Sequence, residues 1–282
     1  MEGLAGVKAE DMGRAPLSLM RVQVDGLLDP GRVVHAFSTR LGGVSRPPYA
    51  SLNLGASVGD DPLAVEENRR RFFGGFGIAL SQVVRVRQVH GDGVLIVDRG
   101  LASRAGFPQL LIDEHYRYDA LATNLTGLAL VVSTADCVPI LIHDPVCQAI
   151  AAIHAGWPST AKRIAARAIE AMTAVYGTHP RDCRAVIGPS VRGCCYEVDG
   201  VVTDAMQAAL PSWRSHAVPT RPGHVRLDLA EVNRAILAGA GVRSEHIKDA
   251  GLCTACRTDL FFSHRAEKPK TGRMMNLILL RS

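Results

Sequence analysis

Aromatic residues and long apolar runs are both scarce in this chain of 282 residues. Phe, Trp and Tyr make up 5% of it, which disfavours a nucleic-acid binder, because such proteins usually interleave aromatics with a strong basic patch. The formal charge of +5 is mild, and the basic residues are scattered along the chain. No apolar stretch is long enough to cross a bilayer. The sequence therefore predicts neither a nucleic-acid nor a membrane partner, and no protein partner is inferred from it. A small anionic molecule such as phosphate is a candidate ligand.

A secretory signal is also absent from the start of the chain. Residues 1–20 carry several charges and no apolar core, so we predict a disordered tail there and a single domain over residues 21–282. The seven cysteines are an odd number, which indicates reduced thiols and a cytoplasmic protein rather than a disulfide framework. At least one thiol is then available for metal binding or nucleophilic chemistry.

Helix signals are clear although no GxGxxG or Walker loop is present. Asp61 and Pro62 are typical of a helix start, and this helix should end near Gly74. Residues 158–177 predict a second long helix. Asp228, followed three residues later by Glu231, predicts a third helix with a capping box.

Strand signals alternate with these helices. The apolar runs at 128–132, 138–142 and 149–153 predict three buried strands, and residues 83–97 predict two paired strands around a turn at 90–93. Residues 100–125 are irregular and polar and predict a mobile flap. This mixture indicates an α/β or α+β fold with mixed sheets.

Three metal-ligating residue types end or follow apolar runs, namely His90, Cys137 and His154. Imidazole and thiolate are good zinc ligands, and three protein ligands leave a fourth position for water or substrate, as in catalytic zinc sites. The residues alone leave an alternative open, because a lone cysteine or histidine commonly serves packing. Their spacing does not match a short zinc-binding signature.

Motifs spread over residues 30–280 resemble those of the laccase-domain proteins. This is a family of purine nucleoside phosphorylases that is also described as multicopper polyphenol oxidoreductases or peptidoglycan editing factors. The matching segments are STRLGGVS (38–45), SLNLG (51–55), VGDD (58–61), ENR (67–69), QVHG (88–91), TADC (134–137), HAGW (154–157), IGP (187–189), CCYEV (194–198), CTAC (253–256), FFSHR (261–265) and TGR (271–273).

The resemblance implies a single-domain α/β/β/α sandwich similar to the cytotoxic-necrotizing-factor-like cysteine hydrolases. It also implies a zinc triad at His90, Cys137 and His154, with copper as the other candidate metal. The implied activity is phosphorolysis of adenosine, inosine and methylthioadenosine, with adenosine deaminase activity beside it.

Two departures from the family pattern bear on activity. Pro158-Ser159 stands where the family usually has Arg-Gly after HAGW, and His264-Arg265-Ala266 stands where it tends to have Tyr-Arg-Arg. If the missing arginine helps to hold phosphate, activity or specificity should differ here.

Other polar residues in the motifs are candidates for substrate contact. Asp136 is interpreted as a general acid/base, an orienter of a ligand or a turn residue. Arg40 could bind phosphate or form a surface salt bridge. Asn53 and Gln88 could read a base or sugar, and Trp157 could stack on a purine or seal the core.

The remaining cysteine motifs are interpreted as packing residues. Cys253 and Cys256 form a CxxC pair that could hold a metal or carry redox chemistry, but no second pair of matching spacing is visible. Cys194 and Cys195 are adjacent, and adjacent thiols point apart in an extended chain. A second metal site is therefore the less favoured reading.

Three rival functions remain at this point. A Cys–His amidase acting on UDP-muramoyl peptide precursors would use Cys137 as nucleophile and His154 as base. Copper-dependent oxidation of phenols is disfavoured, because the chain has no His-x-His pair. A metal-binding or scaffolding protein would close its site with a fourth ligand, for example Cys147.

Overall fold

Two six-stranded sheets lie at the centre of the computed structural model, which describes residues 7–11, 20–26, 28–109, 115–268 and 270–281. In these ranges the strands are β1 (Val7–Asp11), β2 (Met20–Val24), β3 (Val33–Ser38), β4 (Val83–Val84), β5 (Val94–Ile96), β6 (Ala120–Thr123), β7 (Ala129–Thr134), β8 (Val138–Asp144), β9 (Ala149–Ala155), β10 (Arg184–Ile187), β11 (Glu197–Val198), β12 (Ala217–Pro219), β13 (Val225–Leu227), β14 (Ile247–Asp249) and β15 (Met274–Leu280). The α-helices are α1 (Pro62–Gly74), α2 (Arg99–Ala102), α3 (Trp157–Ala161), α4 (Ile164–Tyr176), α5 (Gly200–Ala209), α6 (Leu229–Gly239) and α7 (His264–Glu267).

Both large sheets are mixed. The first has the order β1-β2-β3-β15-β7-β4, and the second has the order β14-β10-β8-β9-β6-β5. Strands β4 and β7, β5 and β6, and β10 and β14 pair in parallel, whereas the other neighbours are antiparallel. A small sheet, β11-β13-β12, lies apart from them.

Alternating side chains place the two sheets face to face. Leu130 of β7 joins Leu141 of β8 and Ile150 of β9 in one buried cluster between the sheets. Val131, the next residue of β7, points the other way and packs with Phe72 of α1. This period-two alternation is what a strand buried on both faces requires.

The opposite face of the second sheet is covered by helices, because apolar residues of β8 and β9 cluster with those of α4 and α6. The layers therefore run helix, sheet, sheet, helix. This arrangement confirms the α/β/β/α sandwich that the family resemblance implied.

Local capping explains where two of the helices begin. The Asp61 carboxylate accepts a hydrogen bond from the Leu63 N–H at 2.9 Å, and Asp228 accepts one from the Glu231 N–H at 3.2 Å. Such caps satisfy N–H groups that have no partner inside the helix. The predicted starts of α1 and α6 are thereby confirmed.

Four local predictions need correction or limits. Residues 83–97 do not form paired strands, because β4 joins the first sheet and β5 the second. The helix predicted at 158–177 is broken at Arg163, whose φ of 60° lies in the left-handed region. The predicted flap contains α2 and β6, and its residues 110–114 lie outside the described residues.

The predicted tail also contains structure, since β1 pairs with β2 in antiparallel register. Its residues 1–6 and 12–19 lie outside the described residues.

In the part of the chain that is described, no helix has the length and apolar character needed to cross a membrane.

Candidate active site

The three predicted metal ligands meet at one end of strands β8 and β9. Cys137 directly precedes β8, and the antiparallel register places Pro139 opposite His154 of β9. His90 lies in the segment that connects β4 of the first sheet to β5 of the second. The three ligand atoms all lie within 4.8 Å of one another, and Cys137 Sγ is 3.8 Å from His90 Nε2.

Asp119 holds this arrangement together, although no sequence motif indicated it. Its fully buried carboxylate accepts a hydrogen bond from His154 Nδ1 at 2.8 Å. It also accepts the backbone N–H groups of Val89, His90 and Gly91 at 3.1, 3.0 and 2.6 Å. Asp119 thereby fixes both histidines and leaves His154 Nε2 for a ligand, as a carboxylate partner does at many metal sites. The only local signal is an acidic residue at the entry to the buried strand β6.

Gly156 makes room for the ligands. A Cβ atom at this position would lie 2.6 Å from His90 Cδ2 and 3.2 Å from Cys137 Sγ. No real side chain tolerates the shorter contact. The glycine of the HAGW motif is therefore required by the close approach of the chain to the site.

Opposite charges are favoured at Cys137 and His154. Burial opposes ionisation of the thiol, but His154 and His90 together lower the pKa of Cys137 to about 6. Burial likewise opposes charge on His154, but Cys137 and Asp119 raise its pKa to about 9. A thiolate beside two imidazoles is a donor set that suits zinc, and a divalent cation would replace the His154 proton as its counter-charge.

The triad opens into a cavity of about 940 Å³. Its wall is strongly basic, since the lining residues include Arg69, Arg85, Arg87, Arg265 and Arg273. The other polar and aromatic lining residues include Gln88, Ser133, Asp136, Tyr196 and His264.

Three of these arginines are half-buried and have no acidic partner among the described residues. Within the described residues, no carboxylate forms an ion pair with Arg69, Arg85 or Arg273. Burial lowers the pKa of all three, that of Arg69 to about 10. Arg69 Nη2 is buried and has no hydrogen-bond partner in the described part of the chain. Because buried charges are normally paired, we expect an anionic ligand to bind at this wall and to pair with the arginines.

A sequence model of the multi-copper polyphenol oxidoreductase laccase family matches residues 34–281. The chain belongs to this family. It is 39% identical over 249 residues to "Purine nucleoside phosphorylase YlmD" of Bacillus subtilis, covering 87% of this chain and 88% of that relative. It is 41% identical over 248 residues to "Purine nucleoside phosphorylase" of Deinococcus radiodurans, with 87% and 88% covered. The crystal structure of YlmD from Geobacillus stearothermophilus superposes with a TM-score of 0.85 at 34% identity, covering 97% of this chain and 100% of that one.

The candidate substrate residues of this laccase-family chain fall into two groups, of which the first lines the cavity. Gln88 exchanges two hydrogen bonds with the backbone of Ser133, at 2.8 and 2.7 Å. Asp136 has a φ of 91° and accepts hydrogen bonds from Thr254 Oγ1 and the Arg265 N–H, both at 2.6 Å. Both side chains therefore hold the cavity wall in place as well as facing it.

The second group does not line the cavity. Arg40 forms an ion pair with Glu267 at 2.7 Å, which is the salt-bridge alternative to its predicted binding of phosphate. Asn53 is fully buried and accepts the Arg273 N–H at 2.8 Å, so it supports a cavity residue from behind. Trp157 begins α3 and packs against the core under the second sheet.

The structure also decides two predictions about the cysteines, and it corrects the second of them. Cys147 does not join His90, Cys137 and His154, so the triad has no fourth protein ligand among the described residues. Cys194 and Cys195, in contrast, approach Cys253 and Cys256, with all four sulfurs within 4.8 Å of one another. The second pair that the CxxC motif lacked in the sequence is therefore present in the fold.

Proposed function

We propose that this protein is a zinc-dependent purine nucleoside phosphorylase that acts on adenosine, inosine and methylthioadenosine and also deaminates adenosine. The observation that carries this proposal is the cavity in which a His–Cys–His triad faces arginines that have no acidic partner among the described residues. Phosphate needs such cations, and a nucleoside needs a cavity of this size. The relatives named purine nucleoside phosphorylase support the same reaction.

Phosphorolysis joins a phosphate oxygen to the anomeric carbon of the ribose while the bond from that carbon to the purine breaks. In this proposal Arg69, Arg85 and Arg273 hold the phosphate, because a guanidinium binds phosphate oxygens through two parallel hydrogen bonds. The basic wall thereby fixes the nucleophile and stabilises the charge that moves through the transition state. Zinc held by the triad would supply Lewis acidity beside this wall.

The departing purine takes the electron pair of the broken bond and needs a proton. Asp136 lies in the cavity next to Cys137, and we assign this proton transfer to it. Its hydrogen bonds to Thr254 and Arg265 fix the direction of the carboxyl group. For deamination, the same carboxylate would move protons between water and the leaving amine.

A product assay tests the proposal. Purified protein of known zinc content is incubated with adenosine or inosine, with and without phosphate, and the products are separated. We expect ribose 1-phosphate and free base only with phosphate, inosine from adenosine without it, and neither from the Cys137→Ala variant. Absence of turnover by the wild-type protein under all four conditions would refute the phosphorylase.

A Cys–His amidase is the second candidate, and one observation favours it. Asp119, His154 and Cys137 form a carboxylate–imidazole–thiolate series, as in cysteine hydrolases. Its substrate would be a UDP-muramoyl peptide with a wrong first residue. Chelation should abolish phosphorolysis but spare the amidase, whereas a thiol alkylator should abolish the amidase in metal-free protein.

A further inference from the structure

A second group of thiols lies behind the cavity lining, next in the chain to the lining residue Tyr196 and separate from the His–Cys–His triad. The four-cysteine cluster consists of Cys194, Cys195, Cys253 and Cys256, whose sulfurs all lie within 4.8 Å of one another. Cys256 Sγ is 3.5 Å from Cys194 Sγ and 3.3 Å from Cys195 Sγ. A disulfide bond is about 2.05 Å long, so these sulfurs are not bonded to each other, and all four thiols are free.

The distances between the sulfurs fit an ion with tetrahedral coordination. Zinc–sulfur bonds of about 2.3 Å place neighbouring sulfurs of a tetrahedral site about 3.8 Å apart. The separations of 3.5 and 3.3 Å are slightly shorter than this value, and the other pairs lie within 4.8 Å, so a small adjustment of the side chains would accommodate an ion. A site with four thiolates and no open position is typical of structural zinc.

Two turns bring the thiols together. Cys195 and Tyr196 both donate their backbone N–H groups to the Arg192 carbonyl oxygen, which curls the chain so that adjacent thiols face the same side. The Arg257 N–H donates to the Cys253 carbonyl oxygen and closes the CxxC turn in the same way. The backbone N–H of Arg192 also points at Cys253 Sγ, 3.4 Å away, and an N–H donor of this kind stabilises a ligand thiolate.

We propose that the four-cysteine cluster binds a structural Zn²⁺ ion that joins these two turns. The turns already touch, since Ser190 donates to the Leu252 carbonyl oxygen and Thr254 donates to that of Ser190. Each turn carries a residue of the active-site wall. Tyr196 follows Cys195 and lines the cavity. Thr254 follows Cys253 and holds the Asp136 carboxylate. The ion would therefore fix the wall that positions Asp136.

Metal content per chain tests this site without any activity measurement. Protein produced with added zinc and purified without chelator is analysed by elemental mass spectrometry. We expect two zinc ions per chain in the wild type and in the control Cys147→Ser, but one in Cys256→Ser and one in Cys137→Ala. Equal zinc content in Cys256→Ser, Cys147→Ser and the wild type would overturn the proposal. Loss of two thiols in a titration of the unfolded wild type would overturn it in favour of a disulfide.

A second measurement covers the case in which Cys256→Ser does not fold. Cobalt is bound to the Cys137→Ala variant, which keeps all four cysteines of the cluster but lacks a triad ligand. We expect one Co²⁺ per chain with the sulfur-to-cobalt charge-transfer absorption and visible bands of a tetrahedral four-thiolate site. Absence of these bands at saturating cobalt would overturn the proposal.

Discussion

Asp119 accepts hydrogen bonds from three backbone N–H groups and one imidazole N–H, and these bonds set the geometry of both histidines of the candidate metal triad. Asn in its place keeps the size but loses the charge and one acceptor oxygen. We expect Asp119→Asn to weaken zinc binding by about 10- to 100-fold, the usual effect of losing such a partner. Competition with a chromophoric chelator measures this affinity. Asp259→Asn, at an exposed ion pair with Arg257, is the matched control and should leave affinity unchanged.

Gly156 offers a steric test of the same site. The added methyl group of Gly156→Ala would lie 2.6 Å from His90 Cδ2. The imidazole must move, so we expect zinc affinity to fall roughly tenfold or more, as when ligand orientation is lost. The control is Gly74→Ala, because nothing lies within 4 Å of a Cβ there. The same zinc affinity in both variants, measured by chelator competition, would contradict a steric role for Gly156.

Sequence motifs predicted the metal triad but not the residues around it. His90, Cys137 and His154 stand in motifs that resemble the family, and the structure brings them together. Asp119 contacts the two histidines only through the fold, because it directly precedes β6 and is distant from both of them in the sequence. Arg69 and Arg273 do stand in motifs, ENR and TGR, but a motif does not say which of its side chains faces the cavity. Arg40, in the motif STRLGGVS, forms an ion pair with Glu267 and does not line the cavity.

At the scale of elements, the break between α3 and α4 has a measurable energetic effect. Arg163 has a φ of 60°, a region that glycine adopts without the steric penalty of a side chain. We expect Arg163→Gly to raise the free energy of unfolding by up to about 1 kcal/mol. The same change at the exposed Arg167, inside α4, should lower it by about 1 kcal/mol. Urea unfolding of both variants checks the two signs, and a loss at both positions would mean that no strain exists at Arg163.

Element prediction succeeded where local signals are sufficient. The cap at Asp61 and the apolar runs of β7, β8 and β9 are local, and the structure confirms them. The pairing of β4 and β5 depends on which sheet each strand joins. Two short apolar runs around a turn look the same in either case, so the sequence predicted a hairpin that is not formed.

For the whole molecule, buried neutral histidines predict sensitivity to acid. His143 of β8 is fully buried, and neither ring nitrogen has a partner among the described residues. Burial, assisted by nearby Arg184, lowers its pKa from the ordinary 6.5 to about 4. As the pH falls, His143 is therefore protonated in the unfolded chain at a higher pH than in the folded chain. The contribution of His143 to stability is complete above about pH 6.5 and is lost as the pH falls toward 4.

We expect His143 to account for a loss of about 2 kcal/mol in the free energy of unfolding between pH 7 and pH 5. His143→Leu cannot take up this proton, so its unfolding free energy should fall less over the same interval. Urea titrations at both pH values measure the difference. The exposed His179 supplies the control His179→Leu, which should behave as the wild type. Identical pH dependence of all three proteins would contradict the assignment.

The central claim is that phosphate binds to the basic wall beside the metal triad. The most direct test is the KM for phosphate of Arg69→Gln beside Arg70→Gln, two neighbouring changes on α1. Arg69 lines the cavity, whereas Arg70 is exposed and pairs with Glu66 and Glu67. The account predicts a rise of about 10- to 100-fold in Arg69→Gln, the value of one lost hydrogen bond to a charged group, and no change in Arg70→Gln. The same phosphate KM in both variants would contradict it.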